Sequence, residues 1–497
     1  MGSSKKVASG VIWGTIYNIV NGIYGFVSVP ILINYFGKAE YGLIGLAMSV
    51  NVYLRLMDLG FNSTNVRFFA AWLAKKDYDK TQKMFQTSLA FYGSVGLLNA
   101  LILFAVSLFT QQLFHLDPDQ DTILKNLLYV LMVSAIVSWY SSCFDQLIRA
   151  TENVGWIQRR SFIPKLSQIA VLLLTVLAHL SIELYFLLTT FSMFLIIPLS
   201  VKKIRQETPF VSFLPKWNLP ILKEILPYCL NIFSFSIFQF SFYNLRPVFL
   251  GMQGTIESVA DFRVLNQVIS LITLFAGSFM GALLPSASKI VATKNKEAYY
   301  KIAYDGTKYI SIVICFCSFG MMTVGTDVIK MYVGDDYLNL IPWFYLWLLC
   351  ILGDHNRAIS SLLLAGNDIR VIAYMSAAAC FVGLPVSWFL IPHYQVGGVV
   401  LGFCAYMLIQ MLFYYIYYYP RKMKIDSRRV LLHSLLPYVA CGVALFLIIN
   451  QVLAFHYPPL WNFLLKGTLF AVVYGAFALA ISTKTDRAYI RSLIKRK

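Results

Sequence analysis

The amino-acid sequence predicts an all-α membrane protein with about fourteen transmembrane helices, arranged as two six-helix bundles followed by two extra C-terminal helices. The chain is too apolar for a soluble domain, since 58% of its residues are hydrophobic, 13% are charged and the mean hydropathy is +0.67. Apolar runs of about 20 residues, the length that crosses the hydrocarbon, recur along the whole chain. A short pattern of proline, glycine and glutamate also occurs twice with the same spacing, first at Pro30, Gly37 and Glu40 and again at Pro247, Gly254 and Glu257.

Each apolar run supplies one predicted helix, and we number these runs spans 1 to 14 in chain order. Several exceed about 25 residues, so we expect those helices to tilt or to extend beyond the bilayer. The first span follows Lys5 and Lys6 and is too long for the apolar part of a signal peptide, so we interpret it as retained. The spans are residues 9–36, 41–72, 84–110, 123–149, 161–180, 182–201, 225–249, 257–288, 303–325, 341–365, 370–391, 396–419, 430–452 and 461–483.

Positive charge divides the connecting segments into two sets. The loops after even-numbered spans, together with the two termini, hold about 30 Lys and Arg residues, whereas the opposite loops hold about three. The opposite loops carry acidic clusters at 117–121 and 335–336. Because cytoplasmic loops carry the excess of Lys and Arg, we predict that both termini are cytoplasmic.

The recurring pattern places the two halves at spans 1–6 and 7–12. Six is an even number of spans, so both halves enter the membrane from the same side and a pseudo-twofold axis along the membrane normal relates them. We therefore predict an N-terminal lobe at 1–208, a C-terminal lobe at 209–420, and a final segment at 421–497 with spans 13 and 14 and a basic cytoplasmic tail. A repeat of this kind predicts a substrate path where the two halves meet.

Span 2 carries the strongest functional signal. Its polar residues follow helical spacing and predict one polar stripe on an otherwise apolar helix. Two of them, Arg55 and Asp58, lie deep in the span, where a charge costs several kcal/mol unless it faces water or a partner. The stripe therefore predicts a lining of the substrate path, with an internal ion pair between Arg55 and Asp58 as the alternative. The residues of the stripe are Asn51, Arg55, Asp58, Asn62 and Asn65.

Span 10 carries a second deep pair, Asp354 and Arg357, to which the same two interpretations apply. His355 lies off that face and is interpreted as a packed, neutral histidine.

Further candidates lie closer to the ends of their spans, where long side chains can also reach the surface. Asp145 and Arg149 share a face near the inner end of span 4. Arg263 begins a polar face of span 8, and Arg246 precedes Pro247 at the outer end of span 7. All four are candidate path residues.

Catalytic and metal-binding patterns are absent from the sequence, so we predict no enzymatic activity and no cofactor. The eight cysteines all lie in apolar segments and form no metal-ligand spacing. The net charge of +18 lies in the alternating loops and suits an anionic membrane leaflet, so we expect no nucleic-acid partner. Na⁺ or H⁺ is the candidate coupling ion, with Asp58 and Asp354 as the deepest carboxylates.

Residues 10–72 contain a recognisable set of positions, namely Gly10, Gly14, Pro30, the run Phe36 to Gly42, the run Leu56 to Phe61, and Arg67. With these residues the segment resembles the start of polysaccharide (O-antigen type) flippases of the multidrug/oligosaccharidyl-lipid/polysaccharide exporter superfamily. The resemblance implies a V-shaped cavity, alternating access, and transfer of an undecaprenyl-diphosphate-linked oligosaccharide to the outer leaflet of the bacterial cytoplasmic membrane. It also implies membrane lipids as contacts, with a glycan polymerase and glycosyltransferases as pathway partners.

Two other functions stay open at this point. A cation-coupled multidrug exporter would share the fold, although its cavity should be acidic or apolar, whereas Arg55 and Arg357 balance Asp58 and Asp354 here. A membrane glycan polymerase or ligase typically needs a large outer loop, and the outer loops of this chain are short.

Overall fold

The computed structural model describes residues 3–366, 369–452 and 457–481, and within these ranges all regular secondary structure is helical. Among the residues so described, eleven helices are long and apolar enough to cross a membrane, and two bent helix pairs raise the number to 13. The remaining predicted span, 257–288, lies in the helix Ile256–Ala292. In this helix the structure describes the backbone throughout but not the side chains of residues 274–286. The prediction of an all-α, multi-span fold is confirmed. The basic tail at 484–497 lies outside the described residues.

The chain divides into two compact units after Arg263, inside the helix of span 8. The lobe boundaries predicted at 208 and 420 follow the internal repeat and stay a prediction.

In the first unit, several spans are broken by short 3₁₀ or non-helical steps, as in span 6, and others run as single long helices. The helices are Ser3–Phe36 for span 1, Lys38–Tyr53, Leu54–Asp58 and Phe61–Ala74 for span 2, Tyr78–Leu108 for span 3, Pro118–Ala150 for span 4, Val154–Arg160 and Phe162–Ala178 for span 5, Ile182–Ser192, Met193–Ile196 and Ile197–Glu207 for span 6, and Leu219–Gln253 for span 7.

In the described part of the second unit there are four π-helical segments, of which two belong to span 13. The helices are Lys296–Lys301, Ile302–Gly306 and Thr307–Val333 for span 9, Asp335–Leu340, Ile341–Ile351, Leu352–Asn356 and Arg357–Ala365 for span 10, Ile369–Tyr394 for span 11, Val396–Leu412 and Phe413–Met423 for span 12, Ser427–Arg429, Val430–Leu435, Leu436–Leu447 and Ile448–Val452 for span 13, and Pro459–Ile481 for span 14.

Span 2 is broken in its middle. Leu59 and Gly60 adopt left-handed backbone angles, with φ of 49° and 81°, and the two halves of the span meet at a bend of 45°. A side chain at position 60 could not fit, because its Cβ would lie 2.6 Å from the carbonyl oxygen of Cys229 in span 7. Glycine therefore serves both the turn and the close approach of the neighbouring helix.

In the second unit, a buried ion pair joins span 14 to span 9. The Lys466 ammonium lies 2.9 Å from the carboxylate of Asp327, and the Asn462 side-chain amide donates to the other carboxylate oxygen at 3.2 Å. Only 11% of the Lys466 side chain and 9% of the Asp327 side chain are exposed, so removal of either charge would leave the other without compensation in an apolar setting.

Candidate substrate path

A buried hydrogen-bond network connects spans 2, 3 and 4 of the first unit. The Asp58 carboxylate accepts a hydrogen bond of 2.7 Å from the Tyr92 hydroxyl, which in turn accepts one of 2.7 Å from the Gln146 side-chain amide. The Asn65 amide donates to the Gln146 oxygen at 2.7 Å and to the Ser88 hydroxyl at 3.0 Å. Tyr92 and Asn65 are fully buried, so this network fixes the second half of span 2 against its neighbours.

Asp58 also stabilises the break in span 2. Its second carboxylate oxygen accepts the backbone N–H of Asn62 at 3.1 Å, in the first turn of the helix Phe61–Ala74. A carboxylate at this place satisfies a helix N–H that has no intrahelical partner and interacts favourably with the helix dipole. The break therefore begins a new helix near the middle of the span, and Asp58 accepts one of the N–H groups of its first turn.

The prediction that the polar residues of span 2 form one continuous stripe is wrong. Asn51 lies on the first helix, Arg55 and Asp58 lie on the 3₁₀ segment Leu54–Asp58, and Asn62 and Asn65 lie on the second helix. Helical spacing does not carry across the left-handed Leu59 and Gly60, so the residues do not share one continuous face. Asn65 is buried in the network, whereas Asn62 is exposed.

Arg55 has an exposed side chain. Within the described part of the chain, its guanidinium forms no ion pair, and Asp58 contacts Tyr92 and Asn62 instead. The structure thus provides no support for an internal Arg55–Asp58 ion pair. Arg55 lies close to midway between Lys38 and Ala74, where exposure to hydrocarbon would cost several kcal/mol. This guanidinium must therefore face water or a polar ligand.

Arg263 lies against the first helix of span 2. Its guanidinium is 4.7 Å from the centre of the Tyr41 ring, and its side-chain stem occupies the space that a Cβ at Gly45 would need. Nearby, the Lys38 ammonium pairs with the Asp261 carboxylate at 2.6 Å. These contacts fix the beginning of span 8 against span 2 within the first unit.

Arg246 is buried, with 3% of its surface exposed. Its guanidinium lies 5.2 Å from the ring centres of Phe242 and Tyr243 and 5.7 Å from that of Phe262. The guanidinium is therefore enclosed by the protein, and cation–π contacts accompany its burial.

Asp145 and Arg149 do not form a pair. Asp145 is ion-paired with Arg160, whose guanidinium also contacts the Ser200 hydroxyl and the Ile196 carbonyl oxygen. Arg160 is buried and Arg149 is exposed. The sequence interpretation missed Arg160 because it lies at the end of a separate short helix, Val154–Arg160.

In the second unit, Asp354 and Arg357 form the ion pair that their spacing suggested, at 2.7 Å, and each side chain is about a quarter exposed, at 27% and 25%. The 3₁₀ segment Leu352–Asn356 carries Asp354 and ends immediately before Arg357, and residues three apart lie over one another in such a turn. His355 is fully buried and contacts the Leu352 carbonyl oxygen at 2.6 Å and the Tyr415 hydroxyl at 2.5 Å. This placement agrees with a packed histidine.

The sequence interpretation also missed residues that complete these clusters. Tyr92 and Gln146 were hidden among aromatic and polar residues of long helices, although Gln146 lies one residue from Asp145. Asp327 and Lys466 were missed because they lie 139 residues apart. Among the described residues, no group of three or more His, Cys, Asp or Glu side chains is arranged to hold a metal ion.

Comparisons with known proteins agree with this architecture. A family model described as "Polysaccharide biosynthesis protein" matches residues 7–291. A search of curated proteins gave no significant match. Among solved structures, the chain is similar to the lipid II flippase MurJ in an inward closed conformation, with a TM-score of 0.73 and 12% identity over 97% of this chain and 100% of that chain.

The chain is also similar to an inward-facing multidrug resistance MATE family transporter of the MOP superfamily, with a TM-score of 0.65 and 13% identity over 83% of this chain and 96% of that one. The eukaryotic MATE transporter AtDTX14 gives a TM-score of 0.57 and 16% identity, over 86% of this chain and 98% of that chain. At these identities the similarities show the fold.

Proposed function

Because this chain belongs to the polysaccharide biosynthesis protein family, we propose that it is a flippase for a lipid-linked oligosaccharide. Its substrate is an undecaprenyl-diphosphate-linked repeat unit of O-antigen or a related polysaccharide. The protein moves that unit from the inner to the outer leaflet of a bacterial cytoplasmic membrane by alternating access, with both of its own termini in the cytoplasm.

The observation that carries this proposal is the state of Arg55. An exposed guanidinium lies near the middle of a membrane span and has no ion pair among the described residues, which is electrostatically unfavourable. An anionic substrate that binds this guanidinium would offset the unfavourable energy. A diphosphate is a suitable ligand because its oxygens accept two parallel hydrogen bonds from the planar guanidinium. The glycan hydroxyls would exchange water for the side-chain amides of Asn51 and Asn62.

The remaining arginines divide by their contacts. Arg357 is partly exposed beside Asp354, so a phosphate can compete for it. Arg263 is half-buried against Tyr41, and Arg246 is enclosed by aromatic rings, so both are better suited to support the path than to release a ligand repeatedly. Arg149 is exposed near the predicted inner end of span 4, where it can meet the arriving headgroup.

A cation-coupled drug exporter of the same fold is the second candidate. Such a transporter needs a carboxylate that is free to meet a cation. The Asp58 carboxylate accepts hydrogen bonds from the Tyr92 hydroxyl and the Asn62 backbone N–H, and Asp354 is paired with Arg357. Both carboxylates are thus engaged, whereas Arg55 is available, and this difference favours an anionic substrate. No contact in the described residues favours a polymerase or ligase activity.

The test is transport by the purified full-length protein in proteoliposomes. A fluorescent undecaprenyl-diphosphate oligosaccharide is added, and its accessibility to an impermeant quencher is followed with time. We expect protein-dependent movement of this substrate, inhibition by unlabelled substrate, and no effect of a cationic dye at the same concentration. Movement of the dye with no movement of the lipid-linked glycan would favour the drug exporter instead.

A further inference from the structure

A basic cavity lies in the second unit, next to the start of span 9 and the loop between spans 12 and 13. It is widely open to the surroundings and has a volume of about 430 Å³. By the charge pattern of the loops, this side of the membrane is the predicted cytoplasmic side. None of the path residues proposed above lines the cavity. The lining residues are Tyr300, Lys301, Tyr304, Asp305, Lys424 and Arg429.

The charge of the cavity suits an anion. Lys301, Lys424 and Arg429 are exposed cations, and Asp305 is the single carboxylate among the lining residues. Asp305 forms no ion pair with any of these cations in the part of the chain that the structure describes. Three positive side chains thus converge on one cavity with little neutralisation, which is the arrangement that charge-assisted hydrogen bonds to a phosphate require.

The arginine is held in place before any ligand arrives. Its guanidinium carbon lies 4.5 Å from the centre of the Tyr304 ring. The Tyr304 hydroxyl accepts the backbone N–H of Asp426 at 2.9 Å, and the Asp426 carboxylate accepts the backbone N–H of Arg429 at 3.3 Å. Ring, loop and guanidinium therefore position one another, which lowers the entropy lost when a ligand binds.

The neighbouring lysine is also on a fixed turn. Lys424 has a φ of 56°, and the next residue, Ile425, is fully buried in a cluster that includes Tyr418 and Tyr419. The Ile425 N–H donates to the Tyr419 carbonyl oxygen at 2.9 Å. The segment that carries Lys424 is therefore anchored on the apolar interior.

We propose that this cavity is a binding site for a phosphate group, and that its ligand in the membrane is the headgroup of an anionic phospholipid. Basic pockets between transmembrane helices on the cytoplasmic side are suited to such headgroups. The tyrosines at the cavity supply an apolar floor and hydroxyl groups, while the three cations hold the phosphate. None of the proposed path residues lines this site, so the proposal does not depend on the identity of the transported glycan.

The test is lipid binding to the purified full-length chain in detergent, measured by native mass spectrometry with phosphatidylglycerol and with phosphatidylcholine. We expect selective retention of phosphatidylglycerol. Lys301→Gln, Lys424→Gln and Arg429→Gln together should weaken that retention by about tenfold or more. A matched control with three exposed lysines outside the cavity, Lys75→Gln, Lys202→Gln and Lys216→Gln, should leave it unchanged.

A second variant does not depend on loss of binding. Asp305→Asn removes the negative charge from the cavity at nearly constant volume, and it should strengthen phosphatidylglycerol retention a few-fold. Competition by inorganic phosphate tests whether the bound phosphate group belongs to a lipid or to a soluble compound. No competition at millimolar phosphate supports a lipid headgroup, whereas full competition supports a soluble phosphate compound at the same site. Equal losses in both triple variants, or no selective retention by the wild type, would overturn the proposal.

Discussion

The carboxylate of Asp58 lies 2.7 Å from the hydroxyl of Tyr92, on a neighbouring span, and not against the arginine three residues before it in the sequence. This contact explains how span 2 can be broken inside an apolar environment. The break frees backbone N–H groups at the start of the helix Phe61–Ala74, and Asp58 satisfies one of them while Tyr92 holds the carboxylate. Arg55 is thereby left available to a ligand.

We expect Tyr92→Phe to destabilise the protein. Loss of the hydroxyl leaves both the Asp58 carboxylate and the Gln146 amide without a hydrogen-bond partner at this point, at a cost of about 1–3 kcal/mol. The measurement is the midpoint of thermal unfolding of the purified protein in detergent. Tyr78→Phe is the matched control, because Tyr78 is exposed and its ring contact with Phe210 is retained. Equal midpoints for the two variants would contradict a stabilising network.

We expect Arg55→Ala to abolish or strongly reduce glycan transport while the protein stays folded in the membrane, because the diphosphate loses its planar partner. Arg55→Lys should restore only part of the activity, since lysine keeps the charge but not the two parallel donors. The measurement is the initial transport rate in proteoliposomes at matched protein content. Arg370→Ala is the control, because it removes an exposed arginine outside the proposed path. Wild-type rates for Arg55→Ala would remove the main support for the path.

The span count and orientation can be tested by labelling. In a cysteine-free background, single cysteines at Lys38, Asp119, Asp335 and Tyr457 should react with an impermeant thiol reagent added from outside. Single cysteines at Lys80, Lys296 and Lys424 should react only after permeabilisation, because these positions follow even-numbered spans. Reaction of the cysteine at position 296 from outside would refute the fourteen-span topology.

Energy coupling gives a further prediction. A proton carrier needs a carboxylate that can take up and release a proton, but protonation would remove the ion pair of Asp354 with Arg357 and would weaken the charge-assisted hydrogen bond that Tyr92 donates to Asp58. We therefore expect collapse of the proton gradient alone to leave the transport rate of reconstituted vesicles unchanged. The sodium gradient is collapsed separately, for wild type, Asp58→Asn and Asp354→Asn. A rate that falls with the proton gradient in wild type, but not in one of these variants, would identify that carboxylate as a proton site.

Fold class was predictable from sequence because hydropathy sets the spans directly. Arg55 and Asp58 were predictable as candidates because charges deep in a span are rare. Their relationship was not, because it depends on left-handed angles at Leu59 and Gly60 and on Tyr92, a residue far along the chain. Helical spacing predicted the contact between Asp354 and Arg357, three residues apart, but the same spacing at Arg55 and Asp58 gives no contact, because Asp58 binds Tyr92 of span 3 instead.

Ion pairs between different helices were equally difficult to predict from the sequence. Asp145 could be paired on paper with Arg149, four residues away, but the fold supplies Arg160 instead. Nothing in the local pattern around Asp145 distinguishes these two arginines. The choice is made by how the short helix Val154–Arg160 returns against span 4, which is a tertiary feature.

The buried pair between Asp327 and Lys466 has a consequence for how the chain is made. Ribosomal synthesis delivers span 9 long before span 14, so Asp327 enters the membrane without its ammonium partner. During that interval the nascent chain carries an uncompensated charge, and insertion machinery or water must shield it. Arrival of Lys466 ends the interval. A chain shortened before span 14 would keep the Asp327 carboxylate without its ammonium partner, so we expect it to be less stable than the full-length chain.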